Sequence, residues 1–221
     1  MTTTVLFDVN ETLLDLSPIR ELLDERFAGD VDTSDWFAEL LRLSFVSSAT
    51  NTYVPFSVLA GDALATVAGR SGTAASEDDL TTLGRTMRSL PPHPDVMPGL
   101  ALLRDAGVPL AAVTNSPLET AQAQITSAGL DTLFDRILSV DLVQRFKPHR
   151  SVYDAAVAEM GAHPSATVMV AAHDWDIAGA KAAGLRGVFV RRPGQEWSPA
   201  FSPPDANVPS IVEAAHWVLD R

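Results

Sequence analysis

The amino-acid sequence predicts an α/β protein: a doubly wound parallel sheet in three α/β/α layers, interrupted by an all-helical insertion. Three observations carry this expectation. The apolar run Val5-Leu6-Phe7 feeds directly into the polar segment Asp8-Val9-Asn10-Glu11-Thr12, as a buried strand feeds a loop. From about Pro18 to Arg88 the apolar residues recur only at helical spacing. Beyond the Pro-rich stretch Leu90-Pro91-Pro92-His93-Pro94, strand-like and helix-like segments alternate, the rhythm of parallel strands joined by helical crossovers. The division expected from this is a core of residues 1–13 and 95–221 and a helical unit of residues 14–94.

The elements follow in chain order. In the insertion, Ile19, Leu22, Leu23 and Phe27 mark one helix, and Trp36, Phe37, Leu40, Leu41 and Leu43 mark the next. Residues 69–76 read as a loop between helices. After the Pro-rich stretch, residues 99–105 form a helix ended by Gly107, and residues 108–113 a strand. Residues 118–128 form a helix ended by Gly129, residues 137–140 a short strand, and residues 149–160 a helix ended by Gly161. Residues 167–171 form a strand, 177–183 a helix ended by Gly184, and 187–190 a strand. Residues 193–209 read as loop, and 211–219 as a final helix.

Composition narrows the function classes. A chain of 221 residues suits one core with a small inserted subdomain, and 46% hydrophobic content is too high for disorder. The absence of Cys excludes disulfides, a thiol nucleophile and Cys-ligated metal sites. With 16 Lys+Arg against 28 Asp+Glu, the formal charge of -12 repels nucleic acid and anionic membranes. No apolar run is long enough to span a bilayer. The start Met1-Thr2-Thr3-Thr4 lacks the basic and apolar regions of a secretory signal. The expected partner is therefore a small molecule, in the cytoplasm.

In open α/β sheets ligands bind outside the carboxyl ends of the strands. The residues that follow the strands here are Asp8, Asn10 and Thr12; then Thr114, Asn115 and Ser116; then Lys147; then His173, Asp174 and Asp176. Asp8 is a candidate carboxylate nucleophile that forms an ester intermediate. Lys147 would keep it ionised, since a cation within ~4–6 Å lowers a carboxylate pKa by roughly 1–3 units. Thr12 and Thr114 are candidate donors to its oxygens, and Asp176 a candidate anchor for Lys147. Helix N-capping is the competing account of Asp8 and Asp176, and local backbone bonding that of Thr12 and Thr114.

The string Phe7-Asp8-Val9-Asn10-Glu11-Thr12-Leu13-Leu14-Asp15 resembles the first motif of the haloacid dehalogenase superfamily. Val113-Thr114-Asn115-Ser116 resembles its second motif, Lys147-Pro148 its third and Ala171-Ala172-His173-Asp174-Trp175-Asp176 its fourth. The resemblance covers essentially the whole chain. It implies a Rossmann-like core with a helical cap subdomain inserted after the first motif. Most of the superfamily are magnesium phosphatases with carboxylates where this chain has Asn10 and Ala172. The type II, or L-2-haloacid, dehalogenase branch matches better and implies a metal-independent hydrolase without cofactor. There an Asp displaces halide from a short 2-haloalkanoic acid and water hydrolyses the ester. The alternative is a small-molecule phosphatase using Asp8 and magnesium, with Asp174 recruited to the metal.

The branch resemblance further implies that Tyr153 lies beside the catalytic Lys, that Asn115 contacts the halide, and that Asn10, Leu41, Phe56 and Trp175 line the substrate pocket. A homodimer is the common assembly. The sequence departs from the branch at Phe37, where an Arg that holds the halide is expected after Trp36, and at Ala171 and His173, which replace a Ser and an Asn. His173 is a candidate to position or deprotonate the hydrolytic water.

Overall fold

The computed structural model describes residues 3–221. Met1 and Thr2, which open the expected core segment, lie outside the described residues. Six parallel strands form one sheet: β1 (Thr4–Phe7), β2 (Leu110–Thr114), β3 (Arg136–Ser139), β4 (Thr167–Ala171), β5 (Arg186–Val190) and β6 (Ala206–Val208), in the spatial order β3-β2-β1-β4-β5-β6. Every residue of β1, β2 and β4 is buried, as the unbroken apolar character of central parallel strands requires. The register pairs Phe7 with Ala112 on one side and with Val170 on the other. The order reverses at β1, so right-handed crossovers send the connecting helices to opposite faces. The crevice of a doubly wound sheet then opens at the carboxyl ends of β1, β2 and β4.

Between β1 and the next core helix the chain forms α1 (Ser17–Phe27), α2 (Thr33–Thr50), α3 (Phe56–Arg70) and α4 (Glu77–Met87). Ile19, Leu23 and Phe27 recur every fourth residue and are buried on one face of α1. The Asp32 side chain caps α2, and Ser76 and Asp79 form a capping box at α4. The fully buried Trp36 indole donates from Nε1 to the Ala60 carbonyl at 3.0 Å, locking α2 to α3. The two chain crossings between cap and core run side by side: His93 N–H donates to the Leu13 carbonyl and Asp15 N–H to the Pro91 carbonyl, both at 2.9 Å.

The core continues through α5 (Val96–Asp105), α6 (Leu118–Ser127), α7 (Arg150–Glu159), α8 (Asp174–Ala182) and α9 (Ile211–Leu219). Gly99 lets α5 pack directly on α9, because a Cβ there would lie 2.7 Å from the Ile211 carbonyl carbon. Among the described residues no helix is long and apolar enough to cross a membrane.

The structure corrects the element readings in several places: the strand read as 108–113 is Leu110–Thr114, the helix read from 99 begins at Val96, and the helix before the loop of 69–76 runs on to Arg70. Residues 193–209 are not all loop: Ala206–Val208 is a sixth strand, paired to β5 through Val188 with Ala206 and Val190 with Val208. Val140 does not extend β3 but opens a short 3₁₀ turn, Val140–Leu142. Helix α8 begins at Asp174, three residues before its first periodic apolar residue, with His173 at the N-cap.

Candidate active site

Asp8 leaves the carboxyl end of β1, is only 4% exposed, and receives three hydrogen bonds. The Lys147 ammonium donates to Oδ1 at 2.6 Å. The Thr12 hydroxyl donates to Oδ2 at 2.6 Å, and the His173 Nδ1–H donates to the same oxygen at 3.1 Å. Thr12 itself accepts from the Ala172 N–H at 2.8 Å, which ties the first loop to the end of β4. Burial pushes the Asp8 carboxyl up, but the Lys147 charge and the His173 bond and charge outweigh it and hold Asp8 well below the usual carboxylate range.

Lys147 is fully buried and spends all three ammonium protons: on Asp8, on Asp176 Oδ2 at 2.7 Å and on the Val113 carbonyl at 3.0 Å. Burial works against its charge, yet Asp176 and Asp8 raise its pKa above the ordinary value. Asp176 lies inside the first turn of α8 rather than at its N-cap, so capping does not account for it. The Tyr153 hydroxyl donates to Asp176 Oδ1 at 2.7 Å, so Tyr153 touches the anchor of Lys147. Burial and the Asp8 charge push Asp176 up, against the pull of Lys147. Gly179 permits this arrangement: a Cβ there would lie 2.5 Å from Pro148 Cβ and 2.7 Å from the Tyr153 hydroxyl.

His173 faces a carboxylate at each ring nitrogen. Nδ1 meets Asp8, and Nε2 lies 2.8 Å from Glu11 Oε2. Two acceptor partners require a proton on both nitrogens, so the ring is an imidazolium. Burial lowers its pKa, but the bonds and charges of Asp8 and Glu11 prevail and raise it to about 10. The cation is sandwiched between aromatic rings, with centroids 5.8 Å away at Phe37 and 5.0 Å away at Trp175. A base needs a free lone pair, so the deprotonating role considered for His173 is not available in this arrangement.

The other expected residues distribute as follows. Asn115 accepts from the Lys147 backbone N–H through Oδ1 at 3.0 Å, which leaves Nδ2 as the donating end of its amide. Thr114 Oγ1 accepts from the Ser116 N–H at 3.1 Å, the local backbone bond rather than one to Asp8. Asn10 donates to the Ser116 hydroxyl at 3.2 Å and accepts from Gln124 at 2.9 Å. A narrow pocket over Asp8, with space for about one water molecule, is lined by Asn10, Phe37, Leu41, Phe56, Thr114, Asn115, His173 and Trp175. The cap closes it: Tyr53 and Phe56 pack on Phe146 with centroids 5.4 and 5.7 Å apart, and Phe45 meets Trp175 at 5.6 Å.

Glu11 is the functional candidate that sequence reasoning missed. It occupies the left-handed region at φ 62°, and its carboxylate also accepts from Gln195 Nε2 at 3.2 Å. Magnesium, which the phosphatase alternative requires, does not fit these donors. Position 172 is Ala, the Asn10 amide is engaged with Ser116 and Gln124, and both Asp8 oxygens already face cationic N–H groups. Asp174 accepts from the Trp175 N–H at 2.7 Å, and among the described residues no cluster of three His, Asp or Glu side chains is arranged to hold a metal ion.

Comparison with known proteins agrees with this geometry. Residues 2–184 match the family model described as a haloacid dehalogenase-like hydrolase. The chain is 30% identical over 209 residues to a (S)-2-haloacid dehalogenase of Pseudomonas sp. (strain YL), covering 94% of this chain and 90% of that one. It is 31% identical over 212 residues to (S)-2-haloacid dehalogenase 4A of Burkholderia cepacia, with the same coverage of 94% and 90%. The solved L-2-haloacid dehalogenase of Xanthobacter autotrophicus superposes with a TM-score of 0.91 at 25% identity over 99% of both chains. The same protein is also solved with chloropropionic acid covalently bound. Buried carboxylate, lysine and sheet topology thus agree with sequence and structural likeness, and the chain belongs to the haloacid dehalogenase-like hydrolases.

Proposed function

We propose that this protein is a metal-independent hydrolase of short 2-haloalkanoic acids. The observation that carries the reading is the Asp8 carboxylate, buried yet held ionised by Lys147 and His173, with one of its oxygens only partly engaged. Oδ2 accepts two hydrogen bonds and is saturated, whereas Oδ1 accepts one and keeps a lone pair for attack. Oδ1 attacks the halogen-bearing carbon in line, the carbon–halogen bond breaks with inversion, and the Asp8 ester forms. Water then cleaves the ester, giving the 2-hydroxy acid and free Asp8.

Asn115 Nδ2 is the donor for the departing halide, and Leu41, Phe56 and Trp175 exclude water from the reacting carbon. Thr114 and Asn10 complete the polar side of the pocket, while Tyr153 and Asp176 hold Lys147 in place. The pocket is tight in the closed form, so a short acid enters as the cap swings on the paired crossings at residues 13–15 and 91–93. The reading takes in the division into a core of 1–13 and 95–221 and a cap of 14–94, a cytoplasmic location and a homodimer. The (S)-2-haloacid dehalogenases among its relatives, and the covalent chloropropionate adduct of one of them, support it.

The test is a halide-release screen over 2-chloro-, 2-bromo- and 2-fluoroacids, with Asp8→Asn as control. Halide release by the native protein, abolished in the variant, supports the proposal. Release that survives Asp8→Asn overturns it.

A further inference from the structure

We propose that the His173 imidazolium, together with the Thr12 hydroxyl, forms the oxyanion site for hydrolysis of the Asp8 ester, and that Glu11 is the positioning residue that holds the ring there. This rests on the ester mechanism above, makes His173 a donor rather than a base in its second half-reaction, and gives a task to Glu11, which the motif comparison leaves without one.

The geometry selects the atoms. Attack by Oδ1 leaves Oδ2 as the ester carbonyl oxygen. That oxygen already receives the Thr12 hydroxyl at 2.6 Å and the His173 Nδ1–H at 3.1 Å. When water adds to Cγ, the carbonyl electron pair moves onto Oδ2, the atom with two donors aimed at it, one of them cationic. Collapse re-forms the carbonyl and breaks the Cγ–Oδ1 bond. One proton of the water passes to the departing hydroxy-acid oxygen. The other passes to solvent water as Asp8 re-ionises beside Lys147. Preorganised donors at the point where charge develops are the largest single contribution in most acyl transfers.

Glu11 makes the arrangement permanent. Its carboxylate meets Nε2 at 2.8 Å and so keeps the second ring proton in place, while the Phe37 and Trp175 rings fix the plane of the imidazolium. The Glu11 backbone lies at φ 62°, a region that a residue with a side chain rarely adopts. Such strain persists where the surroundings over-determine it and collects at functional sites. Here the bond to His173 and the bond from Gln195 hold the side chain in that pose.

The experiment separates the two half-reactions. Halide and hydroxy acid are followed through the first turnovers of 2-chloropropionate, with intact-protein mass read in parallel, for the native chain, His173→Gln and Glu11→Gln. The expected result for His173→Gln is a stoichiometric burst of halide, an Asp8 adduct visible by mass, and hydroxy-acid release slowed by roughly 10²–10³-fold, the usual cost of one oxyanion donor. Glu11→Gln keeps an acceptor for Nε2 but removes the charge, so ester hydrolysis is lost at a lower pH than in the native chain. In the native chain hydrolysis declines as pH rises toward about 10 and the ring loses its proton. A rate that instead rises through pH 6–7 marks His173 as a base and overturns the proposal. So does His173→Gln hydrolysing its ester at the native rate. Absence of any halide release by the native chain refutes the haloacid reading itself, a different outcome from either.

Discussion

Replacing Phe37 by Arg tests whether the cation at His173 and the cation expected on the cap exclude one another. Phe37 is 8% exposed, and its ring lies 5.8 Å from the His173 ring. A guanidinium in its place would face the imidazolium at that distance. At an effective dielectric of ~20 the repulsion is about 3 kcal/mol, equivalent to about two pKa units. His173 has a folded pKa raised to about 10, so its charge and the stability that goes with it are complete below its ordinary value and are lost as pH rises toward 10. Phe37→Arg therefore draws that loss down to about pH 8. The assay is the pH dependence of halide release and hydroxy-acid formation for four proteins: native, Phe37→Arg, His173→Asn and the double variant. Alone, Phe37→Arg shifts the alkaline limb down by about two units and destabilises the fold. In the His173→Asn background there is no imidazolium for the guanidinium to repel, so the repulsive part of the cost disappears and the two substitutions couple by about 3 kcal/mol in denaturant unfolding. An alkaline limb that stays near 10, with stability effects additive within about 0.5 kcal/mol, refutes the reasoning.

What could be read from the sequence divides along physical lines. The central strands β1 and β4 were legible because parallel strands buried on both faces are apolar throughout and feed straight into polar loops. Asp8, Lys147 and Asp176 were legible as a set because each follows a strand, and the sheet brings strand ends together. The strand Ala206–Val208 was not, since three residues with one apolar-polar alternation carry no periodic signal, and only pairing to β5 defines them. The bond of Thr114 to the Ser116 N–H and the place of Asp176 inside the helix depend on side-chain geometry that spacing does not determine. Glu11 was missed because its partner lies 162 residues away and nothing local marks it. A signal existed, however: the chain has Phe where the resemblance led one to expect Arg, and His where it led one to expect Asn. Taken jointly, those two departures describe one positive charge moved from the cap to the core.

Three further outcomes follow from the same geometry. Prolonged treatment with EDTA leaves halide release unchanged, because no step requires a metal; activity that vanishes and returns with magnesium refutes this. Lys147→Met leaves Asp8 and Asp176 buried without their shared cation, which abolishes turnover and costs about 3–5 kcal/mol. The deficit narrows as pH falls, since both carboxyls then sit above their unfolded pKa and take up protons to relieve it, so unfolding midpoints at pH 5 and pH 8 read the difference. Gly179→Ala probes the site from behind. The new methyl would stand 2.5 Å from Pro148 Cβ, 2.7 Å from the Tyr153 hydroxyl and 2.8 Å from the Pro148 carbonyl oxygen, distances no relaxed packing sustains. Backbone cannot yield as a flexible side chain does, so α8 moves away from the segment that carries Lys147. Asp176 rides on the first turn of α8, and its 2.7 Å bond to Lys147 opens with that shift. Overpacking of this kind costs about 1–3 kcal/mol, and a displacement near 1 Å in a reacting array costs roughly 10²-fold in rate. Thermal unfolding and first-turnover halide release measure the two effects separately. A variant that keeps native turnover while losing stability would show that Lys147 holds its place without help from α8.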